Sequence, residues 1–312
     1  MNKKVKFRPL NGIILLDKAK GLSSNRVLQN IRFLYQAEKA GHTGALDPLA
    51  TGLLPICFGE ATKFSQYLLN ADKTYQVTAK LGERTDTSDA EGEIVQTRSV
   101  NVTPEQITEQ ALKFKGCSEQ QPSIYSALKY EGRPLYYYAR KGIEVPRPVR
   151  QIEVYALTVD EIDLPYVTMT IACSKGTYIR TIVDDLGENL GCGAHVTELR
   201  RTHISGFDSE HMLTAAELEQ LSADQRDNAL LAVDAGIKHI PVLVLNEQQA
   251  DKLRKGQKFA MPEQSAALYR AYTQADNTFL GVVEVLDHTK IVRTKRLLNT
   301  ASALAEQKAS RT

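Results

Sequence analysis

Apolar positions recur along the chain with two periods, one of strands and one of helices. Asn11–Leu16 (NGIILL) is a short apolar run of the kind a buried strand makes. Behind it, Val27, Leu28, Ile31, Leu34 and Tyr35 repeat at helical spacing, with Ser23 and Ser24 as candidate N-caps. Residues 41–52, GHTGALDPLATG, have no period, three glycines and a proline, and read as a loop. Helical spacing returns over Glu60–Leu69 through Phe64, Tyr67 and Leu68. Thr74–Leu81 alternates as a half-buried strand, and beyond the turn-rich GERTDTSDAEG a second strand, Glu93–Thr97, is placed to pair with it as a hairpin. Thr103 then caps a helix that has Pro104 at its first position.

Residues 116–150 are different in character. Gly, Pro and basic residues are interleaved with Tyr125, Tyr130, Tyr136, Tyr137 and Tyr138, and only Arg133–Lys141 has a helical pattern. A long basic excursion of this kind reads as a binding loop. Two strands follow (QIEVYALTV and YVTMTIA), then a helix over Tyr178–Leu190 stopped by Gly191, a strand in HVTELRRTHISGF, and a helix near Ala215–Leu221. Beyond Asn246 come one helix and three strands, around Ala267–Thr273, Thr278–Leu286 and Lys290–Lys295. The fold expected is α+β. A first domain over residues 1–248 carries a mixed, mainly antiparallel sheet, with the excursion at about 122–150, and a small β-rich domain occupies 249–312.

Length and composition fit that picture: 312 residues suffice for about two domains with a core that needs no staple. Four cysteines stand singly with no CxxC spacing, which argues for reduced thiols and against a zinc site. No run of about 18 apolar residues exists and the basic N-terminus lacks a signal-like apolar stretch, so a cytoplasmic protein without membrane contact is expected. The net charge of +2 hides an uneven distribution. Residues 1–73 carry 11 basic against 5 acidic side chains, residues 112–150 carry 8 against 3, and residues 288–312 carry 6 against 1, whereas residues 205–248 carry 2 against 8. Three basic segments on one face would bind a polyanion in a salt-dependent way; taken singly, each could equally be a solvated surface.

Three segments could carry chemistry. In GHTGALDPLATG, Asp47 is followed by Pro48 and flanked by Gly41, Gly44 and Gly52, which gives a carboxylate a fixed direction and open backbone access, as a nucleophile or base needs; Asp47 could equally cap a turn, and His42 could be a turn residue. The loop lacks the GK[ST] ending of a P-loop and the GxGxxG of a Rossmann turn, so nucleotide triphosphates and dinucleotides are poorly supported. Thr74-Tyr75 opens a strand. In Ser174–Arg180, Gly176 breaks a strand, Thr177 can cap the next helix, and Arg180 falls in its first turn, where the helix dipole disfavours a cation unless an acid answers it. Asp184 and Asp185 on the same helix are the local candidates. A carboxylate that attacks, an aromatic ring that stacks and an arginine that holds the carboxylate form a coherent set for chemistry on an extruded base, though spacing alone does not bring Asp47, Tyr75 and Arg180 together. A non-catalytic RNA-binding protein would use the same basic surface, while a hydrolase is disfavoured because the six histidines fall in no metal spacing.

The segments GHTGALDPLATGLLPICFGEATKFSQYL, KTYQVTAKLGERTDTSDAEG, PSIYSALKYEGRPLYYYARKG, CSKGTYIRTIVDDLG and ELRRTHISGF, in that order, resemble the TruB family of bacterial tRNA pseudouridine synthases, which modify uridine 55 of the TΨC loop. The match runs from about residue 10 to residue 210, and the C-terminal module resembles that family's small PUA-like RNA-binding domain. The resemblance implies Asp47 as the catalytic aspartate, Tyr75 stacking on the flipped uracil and assisting proton removal from C5, and Arg180 pairing with Asp47. It implies Tyr178 and Leu199 as lining of the uracil pocket, His42 in the place the base vacates, and Lys18 and Lys63 as phosphate or supporting contacts. It further implies a cytoplasmic isomerase that works on the tRNA TΨC stem-loop as a monomer, without metal, cofactor or obligate protein partner, and that also assists tRNA folding.

Overall fold

The computed structural model describes residues 6–126, 128–207 and 211–299. Residues 300–312 of the expected C-terminal domain, with Lys308 and Arg311 of its basic segment, lie outside the described residues. The chain opens with β1 (Gly12–Lys18), α1 (Ser24–Leu34), β2 (Ala40–His42) and β3 (Thr51–Phe58), then a 3₁₀ turn over Gly59–Lys63 and α2 (Ser65–Leu69). Next come β4 (Lys73–Leu81), β5 (Glu83–Thr85), β6 (Ile94–Thr97), α3 (Pro104–Leu112) and β7 (Gly116–Gln120). The excursion contains β8 (Lys129–Tyr130), β9 (Arg133–Pro134) and α4 (Leu135–Ala139). The chain continues through β10 (Arg150–Asp163), β11 (Tyr166–Cys173), α5 (Ile179–Asn189), β12 (Ala194–Ile204), β13 (Leu213–Thr214), α6 (Ala215–Gln220) and α7 (Ala223–Asn228). The last elements are β14 (Val242–Leu245), α8 (Glu247–Arg254), β15 (Phe259–Ala260), β16 (Leu268–Thr273), β17 (Phe279–Val285) and β18 (Ile291–Leu297).

The main sheet runs β13-β1-β3-β12-β4-β11-β10-β7, with β2 added on β3; only the β1–β13 and β3–β12 pairings are parallel. A smaller sheet, β14-β16-β17-β18-β15, forms the C-terminal unit, so the α+β class with a mixed, mainly antiparallel sheet and a β-rich C-terminal unit is the architecture found. Val242–Leu245 is the edge strand of that unit, which therefore takes in residues on the N-terminal side of the 248/249 boundary read from the sequence.

Helices α1, α3 and α5 cover one face of the main sheet, with Ile31, Ile107 and Val183 in a core shared with Val77, Ala79 and Ile171. At the β1–β3 end the opposite face is covered too. There Ile13, Leu15, Leu53 and Cys57 pack with Phe64 and Leu68 and with Phe279 and Val282 of the C-terminal sheet. A strand buried on both faces shows no alternation. That is why Thr51–Phe58, seven of whose eight residues are buried, is invisible to periodicity and reads as the end of a loop.

Three local expectations are corrected. The strand Ile94–Thr97 pairs with β5, not with β4, because β4 has β11 on one side and β12 on the other and no free edge. Glu60–Leu69 is a 3₁₀ turn followed by a short helix, not one helix. Thr177 donates to the carbonyl of Ser174 instead of capping α5, whose N-cap is Tyr178. By contrast, Thr103 caps α3 through a capping box with Gln106, and Ser23 caps α1.

Candidate active site

The loop between β2 and β3 is held at almost every second residue. Ser24 Oγ donates to the carbonyl of Leu46 (2.8 Å) and accepts from its amide (2.7 Å). Lys18 Nζ is buried and donates to the carbonyls of Ala19 (3.1 Å), Pro48 (3.2 Å) and Ala50 (2.7 Å), and the amide of Gly21 also reaches Pro48. Gly52 has φ +93°, and a Cβ there would lie 2.3 Å from the carbonyl oxygen of Arg201, so β3 can run this close to β12 only with glycine. The loop thus presents one acid, Asp47, from a backbone that has little freedom to move it.

Asp47 accepts a hydrogen-bonded ion pair from Arg180 Nη2 at 2.9 Å. Arg180 is 5% exposed and its other nitrogen, Nη1, donates to Asp89 (2.9 Å) and to the carbonyl of Thr87 (3.0 Å). Asp89 is 3% exposed and is itself fixed by Thr87 Oγ1 (2.7 Å) and the amide of Glu91 (3.1 Å). The acids that answer Arg180 therefore come from two distant loops, while Asp184, the local candidate, pairs with Arg84 at 2.7 Å. The Arg180–Asp89 pair is buried on both sides and holds its geometry because separating it strands a charge, while the Asp47 side chain, 43% exposed, faces the cleft from the other end of the guanidinium. Burial raises the Asp47 carboxyl above its ordinary range and Asp89 adds to this, while Arg180 and Lys18 pull it back toward ionisation. Gln120 completes the frame: its amide donates to the carbonyl of Tyr178 (3.1 Å) and accepts from its backbone N–H (2.8 Å), setting the start of α5.

Around this acid lies a cleft of about 380 Å³, lined among others by Tyr75, Tyr178, Leu199, Ala50, Ser126 and Leu128. Two tyrosine rings and aliphatic walls beside one carboxylate suit a planar, weakly polar ring such as a nucleobase. Asp47, Tyr75, Tyr178, Arg180 and Leu199 thus share one wall-to-wall site. His42 sits on β2 opposite Ile56, outside that lining, and burial together with Arg201 lowers its pKa, which favours the neutral imidazole. Lys18 acts on the loop backbone. Lys63 donates to Glu60 (2.7 Å) and to the carbonyl of Leu297 (2.9 Å), tying the 3₁₀ turn to β18 away from the cleft. Asp89, Gln120, Lys73 and Arg201 are framework or cleft residues absent from the sequence-derived set.

The excursion contributes a second kind of surface. Arg133 lies 4.5 Å from the centre of the Tyr137 ring, Lys141 4.6 Å from the same ring, and Arg140 5.5 Å from that of Tyr136. Among the described residues no group of His, Cys, Asp or Glu is arranged to hold a metal ion, and no helix is long and apolar enough to cross a membrane.

Comparison with known proteins gives concordant results. Residues 32–179 match the model of the TruB family pseudouridylate synthase N-terminal domain, residues 180–238 that of the tRNA pseudouridylate synthase B C-terminal domain, and residues 241–298 that of the pseudouridine synthase II TruB C-terminal domain. The tRNA pseudouridine synthase B of Mannheimia succiniciproducens is 52% identical over 94% of this chain and 97% of its own, and that of Haemophilus influenzae is 51% identical over 89% and 91%. Among solved structures, a chain of a Cbf5-Nop10-Gar1 complex superposes with a TM-score of 0.72 at 23% identity, covering 96% of this chain and 89% of that one, a likeness of fold.

Proposed function

The chain belongs to the TruB family of pseudouridylate synthases and converts uridine in tRNA to pseudouridine, and from that premise we propose that its target is uridine 55 of the TΨC loop, flipped into the cleft beside Asp47. The observation that carries this reading is the Asp47–Arg180–Asp89 array set against Tyr75. The reaction exchanges the N1–C1′ bond for a C5–C1′ bond, with the proton leaving C5 and one arriving at N1. It needs a carboxylate near the sugar and a proton acceptor near the base. Asp47 either attacks C1′ as the glycosidic bond breaks or takes a proton from C2′, and both routes need it ionised and aimed, which Arg180 provides. Tyr75 stacks on the uracil and receives the C5 proton; Tyr178 and Leu199 close the pocket; His42, one strand away, occupies the space the base leaves. Extruding a base costs a few kcal/mol, which stacking and phosphate contacts from the basic excursion offset. Opening the tRNA elbow for this step also gives the protein a means to assist tRNA folding.

The test is to incubate the protein with an unmodified tRNA transcript and locate pseudouridine by carbodiimide-dependent primer-extension stops. A stop assigned to position 55, and its loss in a transcript carrying cytidine there, is the expected result; modification elsewhere, with 55 untouched, overturns the assignment.

A further inference from the structure

We infer that Arg201 is a positioning residue for Tyr75, a buried guanidinium that orients the phenol and stabilises the phenolate which takes the C5 proton. The inference rests on the role proposed above for Tyr75.

Arg201 is 1% exposed and among the largest fully buried side chains. Its Nε donates to the carbonyl of Leu53 (2.7 Å) and its Nη2 to that of Gly44 (3.2 Å). These neutral acceptors satisfy N–H groups and leave the charge unanswered: among the described residues no carboxylate lies within 4.0 Å of it, whereas the equally buried Arg180 has two. An unpaired buried cation is unfavourable in the resting protein and becomes favourable where negative charge develops.

The group placed to develop that charge is Tyr75. Arg201 and Tyr75 are direct partners in the β12–β4 register, so their side chains leave the sheet on the same face, and both line the cleft. Around the phenol stand Arg201 on β12, Cys173 on β11, Asp47 in the loop and Lys73 on its own strand. Burial pushes the phenol up, Cys173 and Asp47 push it further, and the positive charge of Arg201 opposes them. The positive field of Arg201 also reaches Lys73, on the same strand as Tyr75, and His42 on β2, adding to burial in lowering both pKa values. Its bond to Gly44 also ties the strand position opposite Tyr75 to the loop that carries Asp47.

The chemistry balances. Once C5 is joined to C1′, leaving a C6=N1 double bond, the C5–H bond breaks, its electron pair forms the C5–C6 double bond, the C6=N1 pair moves onto N1, and the proton passes to the Tyr75 phenolate. The phenol then returns its proton to solvent as N1 acquires one.

The experiment is a double-variant cycle under single-turnover conditions with unmodified tRNA transcript, using Arg201→Lys, Arg201→Gln, Tyr75→Phe and both combinations, with rates followed against pH and with 5-deuterouridine in the transcript. If Arg201 acts through Tyr75, Arg201→Gln slows the native-background reaction about a hundredfold, the size of a lost charge-stabilising group in a desolvated site. It moves the rising limb of the rate profile to higher pH and brings out a deuterium effect, and it adds less than about threefold once Tyr75 is Phe. Arg201→Lys, which keeps the charge and loses the fork, falls between. Equal losses in the native and Tyr75→Phe backgrounds, or a loss with an unmoved pH limb, overturn the inference; should Arg201→Gln not fold, Arg201→Lys carries the same cycle. Failure of the underlying reading has another signature, a Tyr75→Phe enzyme as fast as the native one.

Discussion

The loop bearing Asp47 and the excursion at 122–150 both line the cleft, yet they are built on opposite terms. The loop has a buried lysine and a serine fastened to its carbonyls, and the acid it presents meets an arginine that is 5% exposed. The excursion is a two-residue hairpin and a five-residue helix whose cations lie over tyrosine rings at the surface, Arg133 and Lys141 sharing Tyr137 between them. Burial makes an electrostatic contact strong; exposure makes it weak, salt-sensitive and adaptable. Chemistry at one glycosidic bond requires the first, and capture of a long polyanion the second. On the proposed reading rate belongs to the loop and affinity to the excursion, and substitutions in each region can break that division.

The largest effect is expected at Arg180. Arg180→Lys keeps the charge but cannot reach Asp47 and Asp89 together, so the single-turnover rate should fall by about a hundredfold or more while the tRNA Kd changes less than about threefold, as read by rapid-quench and filter-binding measurements. Parallel losses in both would dissolve the division. Asp89→Asn should follow, with a rate loss of about tenfold to a hundredfold and a stability loss of about 3 kcal/mol from half-breaking a buried pair. It also carries a pH signature with a definite sign. Asp89 helps hold the Asp47 carboxyl high, so its removal should move the acid limb of the rate profile to lower pH even as the plateau drops. Lys18→Met loses three donations, two of them to carbonyls of the Asp47 loop, and should lower stability by about 1–3 kcal/mol in denaturant titration, slowing the reaction with binding unchanged. The smallest effect belongs to the excursion. Arg133→Ala or Tyr137→Ala should weaken tRNA binding by about threefold to tenfold and, for Arg133, reduce the salt slope by about one, with the rate at saturating tRNA nearly unchanged.

Much of the site was legible because its signals are local. Asp47 before Pro48 among glycines, Tyr75 at the start of an alternating strand, and Arg180 in a first helical turn each stand out within a few residues. A cation at a helix N-terminus needs an acid, and the helix itself offers only Asp184 and Asp185; the resemblance supplies Asp47, but nothing in the sequence supplies the second acid. Asp89 lies 91 positions away, in a segment where Asp86 and Glu91 give no reason to prefer it. Arg201 was equally hidden: in ELRRT it reads as a solvated strand residue beside Arg200, which does pair at the surface with Asp17. Only the register opposite Tyr75 gives it a place. The same applies to the fold. Strands with one solvated face show their period, as β4 does, whereas β3, sandwiched between the helix side and the C-terminal sheet, has none to show.

The account turns on Asp47 acting in the chemistry and not in the grip on RNA. The most direct test is tritium release from a tRNA transcript labelled at C5 of uridine, run with the intact protein and with Asp47→Asn alongside binding of both. The account predicts release by the intact protein alone, with the variant binding tRNA as tightly as the original. Release by Asp47→Asn at a comparable rate, or loss of release matched by loss of binding, would contradict it.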